Sequence, residues 1–88
     1  MVDRLRRDPG LPFQVIEGRA VIVVPARREA HQLDEVATFL WTCLERERTV
    51  GDLVAEVCGA FEVQAEAAER DVRDFVRLLE GKGLVVRA

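Results

Sequence analysis

The first third of the chain alternates short β-branched runs with turn residues. Residues 13–17 favour an extended backbone and stop at Gly18, which predicts a first strand. Five apolar residues at positions 20–24 end at Pro25 and predict a second strand. Residues 17–19 have the length and chemistry of a tight hairpin turn, so the two strands should pair antiparallel.

A third strand is predicted after a turn at residues 26–28. Polar and apolar side chains alternate along the residues that follow, which is the pattern of a half-buried strand. The third strand should pair antiparallel with the second and lie at the edge of the sheet. It consists of Glu29, Ala30, His31, Gln32 and Leu33.

The hydrophobic period lengthens to about 3.6 residues at Asp34, which indicates a change from strands to helices. Asp34 is a favoured N-cap. The first helix then has an apolar stripe made of Val36, Phe39, Leu40, Cys43 and Leu44.

Two more helices are predicted in the remainder of the chain. Thr49, with Asp52 three residues later, resembles a capping box for a short second helix. The apolar face of that helix contains Leu53, Val54, Val57, Cys58 and Phe61, and Gly59 fits its end. A longer third helix over residues 64–80 presents Ala65, Ala68, Val72, Phe75, Val76 and Leu79 on one side. Residues 81–83 stop it, and residues 84–86 predict a closing extended segment.

The order of elements is therefore βββααα with an extended tail. It predicts an α+β fold in which a three-stranded antiparallel N-terminal sheet packs on a three-helix cluster, similar to a winged helix with its strands placed first. A chain of 88 residues has room for one core. Residues 1–12, which contain Pro9, Gly10 and Pro12, are expected to form a flexible basic arm, and residues 13–88 a single domain.

Composition excludes several functions. No apolar stretch approaches the roughly 18 residues that span a bilayer, and the charged start of the chain leads into Asp8 and Pro9 rather than a signal sequence. We therefore expect a cytoplasmic protein without membrane contact. Cys43 and Cys58 form no metal-ligand spacing with His31, and no acid–base or nucleophile cluster is visible. We expect neither catalysis nor a metal or cofactor.

Charge is distributed unevenly along the chain. There are 13 basic and 16 acidic residues, for a net charge of −3, and six arginines lie within the first 28 residues. A basic arm is typical of nucleic-acid contact, but an acidic body repels phosphates. The second helix, which would read DNA in a winged helix, contains Asp52 and Glu56 and no Lys or Arg. No nucleic-acid partner is expected, and a DNA-binding regulator is the alternative.

Several short segments, in a characteristic order, point to a family. They are Val15-Ile16-Glu17-Gly18-Arg19 with Ala20-Val21-Ile22-Val23-Val24, His31-Gln32-Leu33-Asp34, Phe39-Leu40-Trp41, Arg48-Thr49-Val50, Leu53-Val54, Asp71-Val72-Arg73-Asp74-Phe75, Leu79 and Gly83-Leu84-Val85. In this order and spacing, residues 13–86 resemble the PqqD-like family. Asp34 stands where the family commonly has Asn, which preserves N-capping. The Gly frequently found before Arg48 is absent, so the turn between the first two helices is expected to differ.

The resemblance implies a small non-catalytic domain that recognises the leader of a ribosomally made, post-translationally modified peptide (RiPP). The leader would lie as an extra strand along the third strand and pack against the last helix. The domain would then present it to a modifying enzyme, often a radical-SAM protein. No cofactor is implied.

Elementary chemistry points to the same place for a peptide site. An exposed edge strand offers unpaired N–H and C=O groups that recruit a peptide by strand addition. On the last helix, Leu78 is a surplus apolar residue beside the core stripe, and Asp71 could offer a carboxylate to a leader Lys, Arg or amide. The candidate peptide-binding residues are Glu29, Ala30, His31, Gln32, Leu33, Asp71, Phe75 and Leu78.

Other readings stay open. Leu78 could pack on the closing segment while Asp71 is solvated, or the leader could use the opposite flank of the helix, with Glu69, Val76 and Glu80. The edge strand could instead pair with a second copy, which would make the chain a dimerisation or scaffolding module. The basic stripe on the outer face of the last helix is either solvated surface or a docking surface for the partner enzyme; it consists of Arg70, Arg73 and Arg77.

Overall fold

The computed structural model describes residues 4–87 and has the α+β architecture that the sequence predicts, with a second small sheet in addition. The strands are β1 (Arg4–Arg7), β2 (Phe13–Ile16), β3 (Arg19–Val24), β4 (Glu29–Gln32), β5 (Arg48–Thr49) and β6 (Val85–Arg87). The helices are α1 (Glu35–Cys43), α2 (Val50–Ala60) and α3 (Ala65–Gly81), and one 3-10 turn covers Pro25–Arg27.

The first three predicted strands form an antiparallel sheet in the order β2-β3-β4. β2 and β3 are joined by a two-residue turn in which Glu17 has φ 53° and Gly18 has φ 79°. Positive φ at both positions is the conformation whose twist suits a hairpin, and Gly adopts it without steric strain. Between β3 and β4, Arg28 takes the left-handed conformation after the 3-10 turn.

The helix boundaries follow the caps that the sequence predicts. The Asp34 carboxylate accepts a 2.8 Å hydrogen bond from the Ala37 amide at the start of α1. Thr49 and Asp52 form the reciprocal capping box of α2, with two hydrogen bonds of 3.0 Å. α2 continues one residue past Gly59 and ends at Ala60, and Gly83, with φ 71°, follows the end of α3.

One hydrophobic core joins the sheet β2-β3-β4 to the three helices. Trp41 of α1 is fully buried, and the Phe13 ring meets it edge-on at 5.7 Å between centroids. Thr38 is the one buried polar residue among those described. The Ala20 amide donates a 2.8 Å hydrogen bond to the Thr38 hydroxyl. This bond satisfies a donor at the start of β3 that would otherwise be buried without a partner.

The N-terminal segment differs from its prediction. Residues 1–12 are expected to be a flexible arm, but Arg4–Arg7 form β1, which pairs antiparallel with β5 on one side and β6 on the other. Leu5 supplies the reason, because its side chain is fully buried in the core. The first three residues of that arm lie outside the described part of the chain.

The closing segment is extended, as predicted, and its pairing determines which edges stay open. β6 pairs with β1, in the separate sheet β5-β1-β6. Residues 85–87 therefore do not cover β4. No helix within residues 4–87 has the length and apolar character needed to cross a bilayer.

Candidate functional site

β4 is an edge strand on the described part of the chain. Its only strand neighbour there is β3, which pairs with it from Val24 opposite Glu29 to Val21 opposite Gln32. An edge of this kind presents backbone groups that can pair with another segment.

The register shows which residues of β4 turn their backbone toward the open side. The Leu33 amide donates a 2.8 Å hydrogen bond to the Ala20 carbonyl, just beyond the last paired residues. Since hydrogen-bonded and non-hydrogen-bonded pairs alternate in an antiparallel ladder, His31 and Glu29 also bond to β3. Ala30 and Gln32 therefore direct two N–H and two C=O groups away from the sheet.

Side-chain direction alternates with the same period. Glu29, His31 and Leu33 lie opposite Val24, Ile22 and Ala20, which are the buried residues of β3. The side chains of Glu29, His31 and Leu33 therefore lie on the core side of the sheet, and those of Ala30 and Gln32 on the outer side. Of the five candidate residues 29–33, two thus direct backbone hydrogen-bonding groups to the open edge, and three direct their side chains to the core side.

A groove with a volume of about 360 Å³ lies between α1 and α3. The first helix and its N-cap contribute Asp34, Val36, Ala37 and Leu40, and α3 contributes Asp71, Asp74, Phe75 and Leu78. We call this the α1–α3 groove. It contains all three residues that the sequence analysis selected on the last helix.

The groove and the edge are continuous along the chain. Leu33 ends the ladder with β3, and the next residue, Asp34, is both the N-cap of α1 and part of the groove wall. A peptide that paired with the open edge of β4 as an additional strand would therefore reach the mouth of the groove near Asp34. The structure therefore places a line of backbone donors and acceptors beside a partly apolar cleft.

The exposure of Leu78 distinguishes between the alternative interpretations of the two flanks of α3. Leu78 is 55% exposed, so it does not pack beneath the closing segment, and it lines the groove with Phe75, which is 7% exposed. On the opposite flank Val76 is buried, and Glu80 accepts a 2.8 Å hydrogen bond from Arg87 of β6. This contact lowers the pKa of Glu80. That flank is thus engaged with the tail.

Three carboxylates surround the groove. Asp34 is held by its cap, and Asp74 lies 3.7 Å from the guanidinium of Arg77. Asp71 has no ion pair or hydrogen bond to any residue in the range 4–87. No basic side chain lines the groove. The outer arginines of α3 include Arg73, which pairs with Glu69 at 3.0 Å.

The metal-ligating side chains of residues 4–87 lie apart from one another. No group of three or more His, Cys, Asp or Glu residues in that range could hold a metal ion. His31 Nε2 lies 3.4 Å from the Glu29 carboxylate. Burial raises the pKa of the Cys43 thiol, and the nearby Glu56 carboxylate adds to the effect, so that thiol is less reactive than an ordinary cysteine.

Sequence reasoning missed the α1 side of the groove. Val36 falls within the apolar stripe predicted for α1, which indicates a core position, but it is only half-buried and lines the groove together with the half-buried Ala37. Their partial exposure depends on where α3 lies relative to α1, which no local sequence pattern predicts. Asp34 was predicted only as the N-cap of α1. Its position directly after the predicted edge strand was the signal that could have placed it in the site.

Comparison with known proteins places this geometry in context. A family model described as "Coenzyme PQQ synthesis protein D (PqqD)" matches residues 19–85. Among curated proteins, none matches the chain.

Solved structures share the fold. One described as "TbiB1 in Complex with the TbiA(beta) Leader Peptide" is 26% identical, with a TM-score of 0.82, over 91% of this chain and 93% of that chain. A "Lasso peptide synthetase B1 complexed with the leader peptide" is 22% identical, with a TM-score of 0.81, over 93% and 96%. The PqqD truncation of Methylobacterium extorquens PqqCD, described as a stand-alone RiPP recognition element, is 16% identical, with a TM-score of 0.76, over 94% and 88%.

Proposed function

The chain belongs to the coenzyme PQQ synthesis protein D (PqqD) family, and we propose that it binds the leader of a ribosomally made precursor peptide by strand addition and presents it to a modifying enzyme. The two structures with the highest similarity quoted above are complexes with leader peptides. The third is described as a functional, stand-alone recognition element. In this proposal the domain recognises the peptide and catalyses no reaction itself.

The observation that carries the proposal is the open edge of β4 next to the α1–α3 groove. The backbone groups of Ala30 and Gln32 point away from β3, and the tail that could have covered them pairs with β1 instead. An unpaired ladder beside a cleft is the arrangement that strand addition requires.

The register of an added strand follows from that of β4. Leader residues that exchange hydrogen bonds with Ala30 and Gln32 place their side chains on the outer side of the sheet. The intervening leader residues, opposite His31 and Leu33, place theirs on the core side. The leader residue that lies opposite Leu33, or the next one along, is then nearest the groove. In this proposal it supplies the apolar anchor.

Backbone pairing alone is too weak to hold a leader. About four hydrogen bonds at roughly 0.5–1.5 kcal/mol net each are largely offset by the cost of ordering a disordered segment, which is about 2–5 kcal/mol. Each apolar side chain that becomes fully buried adds about 1.5–3 kcal/mol. The exposed Leu78 and the floor at Phe75 are therefore the contacts that turn pairing into net binding.

The proposed peptide-binding set unites the edge with the groove. It comprises Glu29, Ala30, His31, Gln32, Leu33, Asp71, Phe75 and Leu78, and Asp34 and Val36 join it on the α1 side. We further propose a radical-SAM protein as the modifying enzyme and the cytoplasm as the compartment. The outer face of α3, with Arg70 and Arg77, is the proposed docking surface for that enzyme.

Binding is tested with a candidate leader encoded beside this chain's gene. Calorimetric titration should show one leader bound per chain, and light scattering should show the mass of one chain plus one leader. A dimer that dissociates when the leader is added would show that self-pairing and leader binding compete for one edge. Absence of binding by every leader encoded nearby would contradict the proposal.

A further inference from the structure

The wall of the α1–α3 groove is chemically uniform. Its polar side chains are all carboxylates, from Asp34, Asp71 and Asp74, and its remaining residues are apolar. A groove built only to hold an apolar anchor does not need a ring of like charges.

Two of these carboxylates lie three positions apart on α3. Asp71 and Asp74 are neighbours on the helix surface, and like charges at this spacing destabilise a helix. The ion pair with Arg77 partly offsets this repulsion at Asp74. Both side chains are largely exposed, Asp74 at 65% and Arg77 at 81%, so water and salt screen the pair. Asp71 has no such partner in the range 4–87.

Asp71 is also placed where a ligand passes. It lies one helical turn before Phe75, and Asp34 stands at the junction between the β4 edge and the groove. No structural contact within residues 4–87 explains the Asp71 charge, whereas a cation on a bound segment would offset the repulsion.

We propose, on the basis of the leader-binding function above, that the groove selects a leader segment in which a Lys or Arg flanks the apolar anchor. The apolar anchor packs against Leu78 and Phe75. The basic side chain lays its methylene stem over Leu78 and brings its charge to Asp71 and Asp74, as long basic side chains do at apolar surfaces. This makes the two aspartates specificity determinants of the site.

The expected size of the effect follows from the exposure of the groove. Exposed ion pairs contribute little, so replacing the leader Lys by Gln should weaken binding about two- to fivefold per carboxylate engaged. The loss should shrink at high ionic strength, because salt screens exposed charges. Replacing Lys by Glu should weaken binding further, because it adds repulsion.

The test is a selection with a displayed library of random 12-residue peptides on the intact chain. Selected peptides are then screened for loss of binding to the Gln32→Pro variant, which identifies those that pair with the β4 edge. In that edge-dependent pool, Lys or Arg should be enriched at a constant distance from an apolar residue. A parallel selection on Asp71→Arg/Asp74→Arg should enrich Asp or Glu at that position.

A matched control is Glu62→Arg, which changes charge outside the groove and should leave the basic enrichment unchanged. Edge-dependent peptides without basic enrichment, or with the same enrichment on the doubly substituted variant, would overturn the charge preference while leaving strand addition in place. A selection that yields no edge-dependent peptide would overturn the leader-binding proposal itself, and the preference with it.

Discussion

At the scale of single residues, Asp34 shows how one side chain serves folding and the site together. Its carboxylate caps α1 through the Ala37 amide, and its position immediately after Leu33 places it between the ladder and the groove. The cap could be predicted from residue type alone. Its second role depends on where α3 lies relative to α1, which residue type does not encode.

Proline at position 32 tests the direction of the edge amides. Gln32→Pro removes an outward N–H and leaves the hydrogen bonds to β3 in place, and proline is tolerated on a strand edge. We expect leader affinity to fall about tenfold or more, with the thermal unfolding midpoint nearly unchanged, as measured by calorimetric titration and circular dichroism.

The matched control is proline one residue earlier. His31 bonds to β3, so His31→Pro should lower the unfolding midpoint whether or not a leader is present. If the two variants were to behave alike in both measurements, the register derived for the edge would be incorrect.

Leu78→Ala tests the apolar anchor site. Because Leu78 is more than half exposed, its truncation should change the free energy of unfolding by about 0.5 kcal/mol or less. Leader affinity should fall about five- to thirtyfold, since the proposed binding mode buries this side chain under the leader. Val63→Ala removes another exposed apolar side chain, 39% accessible, that lies outside the groove, and it should affect neither quantity. Equal losses of affinity in both variants would remove Leu78 from the site.

At the scale of elements, the predictable ones are those whose signals are local. The hairpin β2–β3 has its turn residues, and α1 and α2 have their caps, so their bounds agree with the sequence analysis to within about two residues. β1 and β5 have no such signal. Arg4–Arg7 presents a single apolar side chain, Leu5, and β5 has two residues; both are strands only because distant parts of the chain pair with them.

The capping box predicts a pH dependence for α2. Hydrogen bonds from the Thr49 backbone and side chain lower the pKa of Asp52. A lowered pKa in the folded state means that the stabilisation is present above the ordinary pKa of Asp and is lost as pH falls through the lowered value. Asp52→Ala should therefore reduce stability at pH 7 and much less at pH 2, as measured by urea denaturation.

Glu62→Ala is the control for that series, because Glu62 makes no capping contact. Its effect should be small at both pH values. A stability difference between the wild-type protein and Asp52→Ala that persisted unchanged at pH 2 would show that the carboxylate acts through something other than its charge.

At the scale of the whole molecule, the pairing of β1 with β6 leaves the β4 edge open. β6 is held against β1, and Leu5 ties that sheet into the core. The sequence predicted the edge strand and one wall of the groove. Whether another strand within residues 4–87 covers the edge depends on where residues 85–87 pair, so it follows only from the topology of the fold.

Leu5→Ala tests whether the sheet β5-β1-β6 supports the fold without taking part in leader binding. Leu5 is fully buried, so its truncation should lower the free energy of unfolding by about 2–5 kcal/mol. None of the groove or edge residues belongs to β1, so the variant that remains folded should bind the leader with nearly unchanged affinity at 10 °C. A large loss of affinity in folded protein would mean that the second sheet takes part in binding.

The most direct test of the account is amide hydrogen exchange, followed residue by residue by NMR, with and without saturating leader. The open edge predicts that the Ala30 and Gln32 amides exchange rapidly in the unbound protein and become strongly protected when the leader is bound. The His31 amide, already bonded to β3, should be protected in both states. Leader binding that left Ala30 and Gln32 exchanging as rapidly as before would contradict strand addition at this edge.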